Sequence, residues 1–283
     1  NFRARACKPP LKDMQRLVGH LNRTMSIRQS KLGAHYLRRL AQLVASDEWE
    51  QLTDADFQVI EVGLGGRLDA TNVVRPMVSV ITPIMLDHVA ILGDTVELIA
   101  VEKAGIIKPG VPVVTAPQDP AALGVFIRVA AKNGAQLIRV DETISWEGRN
   151  SGQDGQSFDV IGQRDVYQVQ TRLMGDFQQE NAATAVAAAE TLVERGIPIS
   201  SESIVGGLST VKWPGRLQVL SGPTSRVVVD GAHNPDAMRT LVRDIERHFE
   251  FERLYLVFGA SRGHDARGML MEIERLSPVV LPV

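Results

Sequence analysis

Glu61-Val-Gly-Leu-Gly-Gly-Arg-Leu-Asp-Ala-Thr-Asn72 is the stretch that decides how this chain is interpreted. It follows Phe57-Gln-Val-Ile60, a short apolar run that predicts a buried β-strand. Glu61 is therefore placed at the carboxyl end of a strand, with a glycine-rich turn and several polar side chains directly after it. Open α/β sheets bind their ligands at this edge. Because packing alone does not require so many polar residues around three glycines, the stretch predicts a functional loop.

Three interpretations of the glycines are open. Gly63-x-Gly65-Gly66 after a strand suggests a dinucleotide-binding turn, and Asp87 stands about 20 residues further on, where such sites place an acid. Two features argue against it: Leu68 replaces the third glycine, and only about ten residues lead to the next strand, too few for a crossover helix. A tight structural turn is the second interpretation. The third is an active-site loop in which Glu61 binds a metal ion.

Strand-like and helix-like segments alternate along most of the chain, which predicts an α/β fold with largely parallel sheets. The stretch Trp146–Gln170 breaks this rhythm and predicts a small antiparallel hairpin region. The predicted strands are Val78–Thr82, Val111–Thr115, Leu137–Val140, Ser157–Ile161, Asp165–Val169, Arg226–Asp230, Leu254–Phe258 and Pro278–Val283, and the predicted helices are Leu32–Val44, Asp94–Ile107, Ala121–Asn133, Gln178–Arg195, Pro235–Phe249 and Asp265–Leu276.

The composition is that of an ordinary globular protein. The 283 residues carry a net charge of −2 with 44% hydrophobic residues, and the pI is about 6.4. This balance gives no reason to expect a nucleic-acid or membrane partner, and no apolar run approaches the ~20 residues of a membrane span. The single cysteine, Cys7, fits a reducing cytoplasm. Because the chain does not begin with Met, we expect a fragment.

Ile84-Met-Leu-Asp-His88 follows the predicted strand Val78–Thr82. A carboxylate and an imidazole after one strand, and Glu61 after another, would meet at the same sheet edge. Such a set suits Mg²⁺ or Mn²⁺ when phosphate supplies further oxygens. The alternative is that His88 is an ordinary surface histidine.

Lys103 falls on the apolar stripe of the predicted helix Asp94–Ile107, which opens with a plausible capping box from Asp94 to Glu97. A lysine on a buried face is costly unless it is paired or used chemically. One interpretation is that its stem is buried and its amine reaches water. The other is that a desolvated, uncharged amine reacts with CO₂ to give a carbamate, an anionic metal ligand.

Val229-Asp-Gly-Ala-His-Asn-Pro-Asp236 places polar side chains between a strand and a helix. Asn234 fits the N-cap and Pro235 the first helical position. His233 then precedes a helix N-terminus, where anions bind well. The alternative is a capped turn with incidental polar residues. Asn181 and Arg216 are, taken alone, structural or solvent-exposed, although an arginine in a linker could bind phosphate bidentately.

Together these residues resemble the folylpolyglutamate synthase/dihydrofolate synthase family, a branch of the Mur-type amide ligases. The resemblance covers about residues 57–265 in the family's order. Its six motifs are Glu61–Asn72, Leu86–His88, Glu102–Gly110, Gln178–Ala183, Pro214–Arg216 and Asp230–Pro235.

The resemblance implies that ATP phosphorylates a carboxylate of a folate or dihydropteroate, and that the amino group of L-glutamate then attacks the acyl phosphate. It implies a monomer with two Mg²⁺ sites and no nucleic-acid or membrane partner. The implied site residues are Glu61, His88 and carbamylated Lys103 as metal ligands; Asn181 at adenine; Arg216 at the phosphates; Asp230 at the ribose; His233 near glutamate and the transferred phosphoryl group; and Asp69, Thr71 and Asn72 on the pterin side.

One departure from the family is serious. The family carries a P-loop, Gly-x-x-x-x-Gly-Lys-Ser/Thr, and no lysine of this chain follows a glycine. We therefore expect a Mur-ligase-like domain over residues 1–212 whose P-loop NTPase-type parallel sheet is incomplete. A linker at 213–218 and a truncated Rossmann-like glutamate-ligase domain at 219–283 follow. This predicts an inactive or very weak ligase. A Mur-type cell-wall ligase and a non-catalytic nucleotide- or folate-binding module stay open.

Overall fold

The structure, a computed structural model, describes residues 59–152, 155–221, 226–261 and 264–281. The chain divides into two compact units, Asn1–Val74 and Arg75–Val283. In the first unit the described residues form a turn and a 3₁₀ helix, Ala70–Val73. Val59 and Ile60 lie in no regular element, while the rest of the predicted strand Phe57–Ile60 and the predicted helix Leu32–Val44 lie outside the described residues. The predicted domain boundaries around residues 213–218 stay a prediction.

A three-stranded parallel sheet begins the second unit, in the order β1-β2-β3. Its strands are β1 (Ser79–Ile81), β2 (Val113–Thr115) and β3 (Leu137–Arg139). The central strand β2 is buried along its whole length, as expected when both faces of a parallel sheet are covered. The predicted α/β class is thus confirmed. The strands are shorter than predicted, and Val140 begins a helix instead of ending β3.

Helices α1 (Val89–Leu92), α2 (Val96–Lys103) and α3 (Pro120–Lys132) connect these strands, with the 3₁₀ helix Ala104–Ile106 after α2. Asp119 caps α3 and Pro120 occupies its first turn. The predicted capping box at Asp94 is wrong, since the Thr95 hydroxyl accepts the hydrogen bond from Leu98 N. The core between sheet and helices contains Ile81, Ile84, Ile99, Ala100, Ala104, Ile107, Val113, Ala122, Val125, Phe126 and Ala130.

An antiparallel sheet follows the short helix α4 (Val140–Thr143), so the predicted hairpin region is confirmed and has a third strand. Its strands are β4 (Ser145–Gly152), β5 (Gly155–Ile161) and β6 (Val166–Thr171). Helices α5 (Phe177–Glu194) and α6 (Ser201–Thr210) come next. Buried Phe158, Val160, Tyr167 and Val169 pack with the alanine-rich face of α5, which gives this part its own core.

The last part has an antiparallel pair, β7 (Gln218–Ser221) with β8 (Arg226–Val229), and a parallel pair, β9 (Tyr255–Val257) with β10 (Val279–Leu281). Helix α7 (Pro235–His248) precedes β9, and α8 (Ala266–Ile273) with the 3₁₀ helix Glu274–Leu276 connects β9 to β10. Asn234 caps α7 as predicted, accepting from Ala237 N at 2.8 Å. None of the helices in the described ranges has the length and apolar character needed to cross a membrane.

Candidate functional site

The loop after β1 is tied to the end of β2 by one side chain. Gln118 Oε1 accepts from Ile84 N at 3.0 Å, and its Nε2 donates to Thr82 O at 2.9 Å and to Thr115 Oγ1 at 3.2 Å. Ile84 is buried beneath this loop. The loop is therefore held at both ends before it reaches Asp87. The role of Gln118 could not be predicted from the sequence, because the contact joins residues more than thirty positions apart.

Asp87 and His88 follow, and the backbone of His88 has an unusual conformation. His88 has φ of +50°, a left-handed value that is uncommon for residues other than glycine and clusters at functional sites. The Asp87 carboxylate accepts from His88 N at 2.8 Å, and its Oδ2 lies 3.8 Å from His88 Nε2. The His88 side chain is 46% exposed, so its imidazole is accessible from solvent.

His233 reaches the same carboxylate from the start of α7. Its Nε2 lies 3.1 Å from Asp87 Oδ2, and its Nδ1 lies 2.9 Å from Gly231 O. Both ring nitrogens face oxygen acceptors, so only the imidazolium form donates to both. The two motifs that the sequence placed 146 residues apart thus meet through Asp87.

His264 joins them by ring contacts. Its ring centroid lies 5.5 Å from that of His233 and 6.3 Å from that of His88, both in edge-on arrangements. His264 stands in the loop before α8, and sequence reasoning missed it because an isolated loop histidine carries no signal. From the sequence alone, Asp87 was interpreted only as a candidate acid of a dinucleotide-binding site and as the neighbour of His88.

Lys103 lies in the last turn of α2 and is half-buried. The predicted apolar stripe is confirmed, since Ile99, Ala100, Ala104 and Ile107 are all buried. Burial lowers the pKa of Lys103, and the nearby charge of Asp87 partly offsets this. We call Asp87, His88, Lys103, His233 and His264 the Asp87 group.

Arg216 and Asp230 are brought together by one backbone contact. Asp230 lies three residues before His233, and its carboxylate contacts Leu217, the residue after Arg216. Asp230 Oδ2 accepts from Leu217 N at 2.7 Å and its Oδ1 from Ala232 N at 2.8 Å. Leu217 is buried and has φ of +43°, so this carboxylate fixes an unusual turn beside Arg216. The space next to Gly231, where other residues carry a Cβ, is bounded by Arg216 Nη1 at 3.4 Å. The Arg216 side chain is exposed at this turn, and its role at the phosphates stays a prediction.

The predicted substrate side, Asp69, Thr71 and Asn72, belongs to the first unit. Asp69 caps the 3₁₀ helix: its Oδ1 accepts from Thr71 N at 2.9 Å and Thr71 Oγ1 at 2.6 Å, and its Oδ2 from Leu64 N at 3.0 Å. Asn72 Nδ2 donates to Arg67 O at 3.0 Å. These contacts stabilise the glycine-rich loop, and a role toward substrate stays a prediction.

Two further predicted residues are Glu61 and Asn181. Glu61 lies in the first unit with its side chain exposed. Asn181 lies near the start of α5 and is exposed, and its Nδ2 donates to Gln178 Oε1 at 3.1 Å. Their roles at the metal ion and at adenine also stay predictions.

Comparisons with known proteins identify the family of this chain. Residues 36–189 match the Mur ligase middle domain, and residues 215–281 match the Mur ligase glutamate ligase domain. The dihydrofolate synthase/folylpolyglutamate synthase of Bacillus subtilis is 37% identical over 227 residues, 80% of this chain and 53% of that protein. The chain spans about half the length of the curated relatives it matches.

Solved structures give the same result. Folylpolyglutamate synthase of Mycobacterium tuberculosis complexed with ADP and AMPPCP matches with a TM-score of 0.80 at 29% identity, covering 96% of this chain and 61% of that one. A complex of folylpolyglutamate synthase with AMPPCP and folate matches with a TM-score of 0.73 at 34% identity, covering 87% and 65%. The chain therefore belongs to the folylpolyglutamate synthase/dihydrofolate synthase family of Mur ligases.

Proposed function

We propose that this protein is an ATP-dependent ligase that adds L-glutamate to a folate or to dihydropteroate through an acyl phosphate. The observation that carries this proposal is the contact between His233 and Asp87, which joins the loop after β1 to the N-terminus of α7. The relatives that match the chain are named as folylpolyglutamate and dihydrofolate synthases, and one solved relative holds both an ATP analogue and folate.

The chemistry needs positive charge where phosphate negative charge develops. The N-terminal end of α7 supplies it on one side, where the ring of His233 offers a hydrogen-bonding group beside Asp87 and Gly231. The exposed guanidinium of Arg216 supplies a bidentate donor on the other side of the same turn. Asp87 orients the imidazole of His233, so we assign Asp87 as a positioning residue.

The ligand types of three predicted residues suit Mg²⁺ when phosphate supplies further oxygens. Glu61 and His88 offer a carboxylate and an imidazole, and the lowered pKa of Lys103 favours the neutral amine. That amine forms a carbamate by adding to CO₂ and releasing one proton, which replaces a cation by an anionic oxygen donor. When bound, Mg²⁺ would neutralise charge on the phosphates. These three residues are our proposed metal ligands, with two ions expected.

The remaining roles are proposals of the same kind. Asn181 would contact adenine and Asp230 the ribose; a carboxylate has enough lone pairs to accept a ribose hydroxyl besides its two backbone donors. Asp69, Thr71 and Asn72 would line the pterin side. We further propose that the protein acts as a monomer in the cytoplasm, on small molecules and not on nucleic acid or membranes.

A second candidate function is a nucleotide- or folate-binding module without turnover. It is favoured by one observation, since the 283 residues contain no Gly-x-x-x-x-Gly-Lys-Ser/Thr. That loop normally holds the ATP phosphates through its backbone N–H groups and its lysine. For the same reason we expect ligation by this chain to be very slow.

Calorimetry and turnover on one sample of the 283-residue chain test these proposals. MgATP and a reduced folate are titrated separately, and then all substrates are mixed with the protein in excess over folate. The ligase is supported if a glutamylated product forms only when ATP and L-glutamate are present and if the His233→Asn variant does not form it. Binding with no product above that variant favours the module. If neither ATP nor folate nor dihydropteroate binds, both functions are wrong. Ligation at the rate of intact relatives would contradict the expected loss of activity.

A further inference from the structure

A second cluster of ligand-type side chains lies away from the Asp87 group, where the start of α5 meets the end of α7. Asp176, Asp244 and His248 each point one oxygen or nitrogen atom to a common place, and these atoms all lie within 4.8 Å of one another. His248 Nε2 and Asp176 Oδ1 are 3.3 Å apart. Within the described ranges this is the one such group of three His, Cys, Asp or Glu residues. We call it the Asp244 cluster.

Each of its three side chains is held from the outer side. Asp244 Oδ1 accepts from Asp176 N at 3.4 Å, and His248 Nδ1 lies 2.8 Å from Ser151 Oγ. Asp176 Oδ2 accepts from Arg247. One atom of each residue is therefore left facing the centre. Metal ligands are typically oriented in this way, by hydrogen bonds to their second polar atom.

Two of the inward atoms are buried without a hydrogen-bond partner, although His248 Nε2 lies 3.3 Å from Asp176 Oδ1. Asp244 is 0% exposed and its Oδ2 has no hydrogen-bond partner; the His248 side chain is 5% exposed and its Nε2 has none either. Polar atoms buried without partners are rare because they cost free energy, so each requires an explanation.

The backbone keeps the centre open. Gly175 has φ of +96°, and a Cβ added there would lie 2.8 Å from Asp244 Oδ2. Any other residue would push into the space beside that oxygen. Glycine at position 175 therefore permits this backbone conformation and also leaves the space beside Asp244 Oδ2 free.

We propose that Asp176, Asp244 and His248 form a binding site for a divalent transition-metal ion of the Zn²⁺ class. One imidazole and two carboxylates suit Zn²⁺ better than Mg²⁺, which prefers oxygen ligands and retained water. Tetrahedral bonds of about 2.0 Å separate two ligand atoms by about 3.3 Å, the distance observed between His248 and Asp176. A pair of atoms at the 4.8 Å limit would have to close by roughly 1.4 Å to fit tetrahedral bonds of about 2.1 Å. The ion would join α5 to α7, so its role is structural.

Cobalt titration of the full chain tests this site. Co²⁺ reports its ligands through visible absorption, and Zn²⁺ is then added in competition. All proteins carry His88→Gln, which removes the histidine of the proposed Mg²⁺ site. The test variants are Asp244→Asn and His248→Gln. The matched control is Glu246→Gln, which changes an exposed carboxylate on the same helix that is paired with Arg275.

We expect one equivalent of Co²⁺ with a visible band that Zn²⁺ displaces, and at least about a tenfold loss of affinity in both test variants but not in the control. Equal affinity in all proteins, or no band, overturns the proposal. Far-UV circular dichroism establishes that each variant is folded. If one test variant unfolds, the Co²⁺ affinity of the other variant is compared with that of the control. In addition, the melting temperature of the protein with the intact Asp244 cluster is measured with and without Zn²⁺. A higher melting temperature with Zn²⁺ supports the site, and an unchanged one overturns it.

Discussion

Replacing Asp230 by asparagine tests whether its carboxylate holds the turn that carries Arg216. The two oxygens accept from Leu217 N at 2.7 Å and Ala232 N at 2.8 Å. Asparagine keeps one acceptor oxygen and places an NH₂ group against the other backbone N–H. The variant therefore retains the shape of the side chain while one donor loses its partner and faces another donor.

The expected loss follows from these two bonds. A hydrogen bond to a charged group contributes about 1.5–3 kcal/mol and a neutral one about 0.5–1.5 kcal/mol. The variant loses one charged hydrogen bond and weakens the other, so we expect its free energy of unfolding to fall by about 2–3 kcal/mol. The lower value is favoured because Asp230 is partly exposed. Since each kcal/mol corresponds to roughly 2–4 °C for a chain near this size, we expect the melting temperature to fall by roughly 4–12 °C.

Scanning calorimetry of the full chain measures this change, with Asp236→Asn as the matched control. Asp236 pairs with Arg239 at 2.6 Å on the exposed face of α7, and such surface pairs contribute at most about 1 kcal/mol. The reasoning is refuted if Asp230→Asn melts at the same temperature as Asp236→Asn. A larger fall for Asp230→Asn supports the role of this carboxylate in holding the turn that carries Arg216.

Three other changes have defined outcomes. Because burial lowers the pKa of Lys103, the folded protein binds fewer protons than the unfolded chain, and stability rises with pH from the folded pKa toward about 10.5. In metal-free, CO₂-free buffer, Lys103→Met should remove this rise from the plot of melting temperature against pH. The control Lys132→Met, which changes an exposed lysine, should retain the rise. Glu190→Gln is expected to cost about 2–3 kcal/mol in urea unfolding, since the buried carboxylate accepts from two backbone N–H groups and from the Tyr167 hydroxyl. The pKa of Tyr167 is raised to about 12, mainly by burial and next by Glu190. Absorbance titration of the Glu190→Gln variant should therefore give a lower pKa for Tyr167 that still exceeds 10. Gly175→Ala should lower the free energy of unfolding by at least about 1 kcal/mol, because φ there is +96° and the added Cβ would lie 2.5 Å from a phenyl ring; an unchanged urea midpoint would contradict this.

Local patterns predicted much of the fold. The spacing of apolar residues located α2, α3, α5, α7 and α8, and Asn234-Pro235 located the start of α7 to the residue. The short strand β10 also lies where Pro278–Val283 predicted it. Two failures have local causes. Thr95 caps α2 although Asp94 offers an equally good side chain, and α6 was missed because Gly206 and Gly207 weaken the helical pattern.

The candidate site was only partly predictable, because its contacts join distant parts of the chain. The sequence identified His88, Lys103 and His233 by the cost of burying a lysine and by polar residues at the ends of strands. It did not identify His264 or the central place of Asp87, which depend on how α7 meets the loop after β1. The Asp244 cluster lay beyond prediction for the same reason, since Asp176 and Asp244 are 68 residues apart.

The central claim is that the Asp87–His233 pair belongs to a glutamate-ligase active site. The most direct measurement is single-turnover glutamylation of a reduced folate or dihydropteroate by excess protein, with the product identified by mass spectrometry. The account predicts a slow, ATP- and L-glutamate-dependent product from the wild-type chain. It predicts at least about 100-fold less product from folded Asp87→Asn, because a misoriented imidazole forfeits stabilisation of the transferred phosphoryl group. Equal product from wild type and Asp87→Asn, or no ATP-dependent product from either, would contradict it.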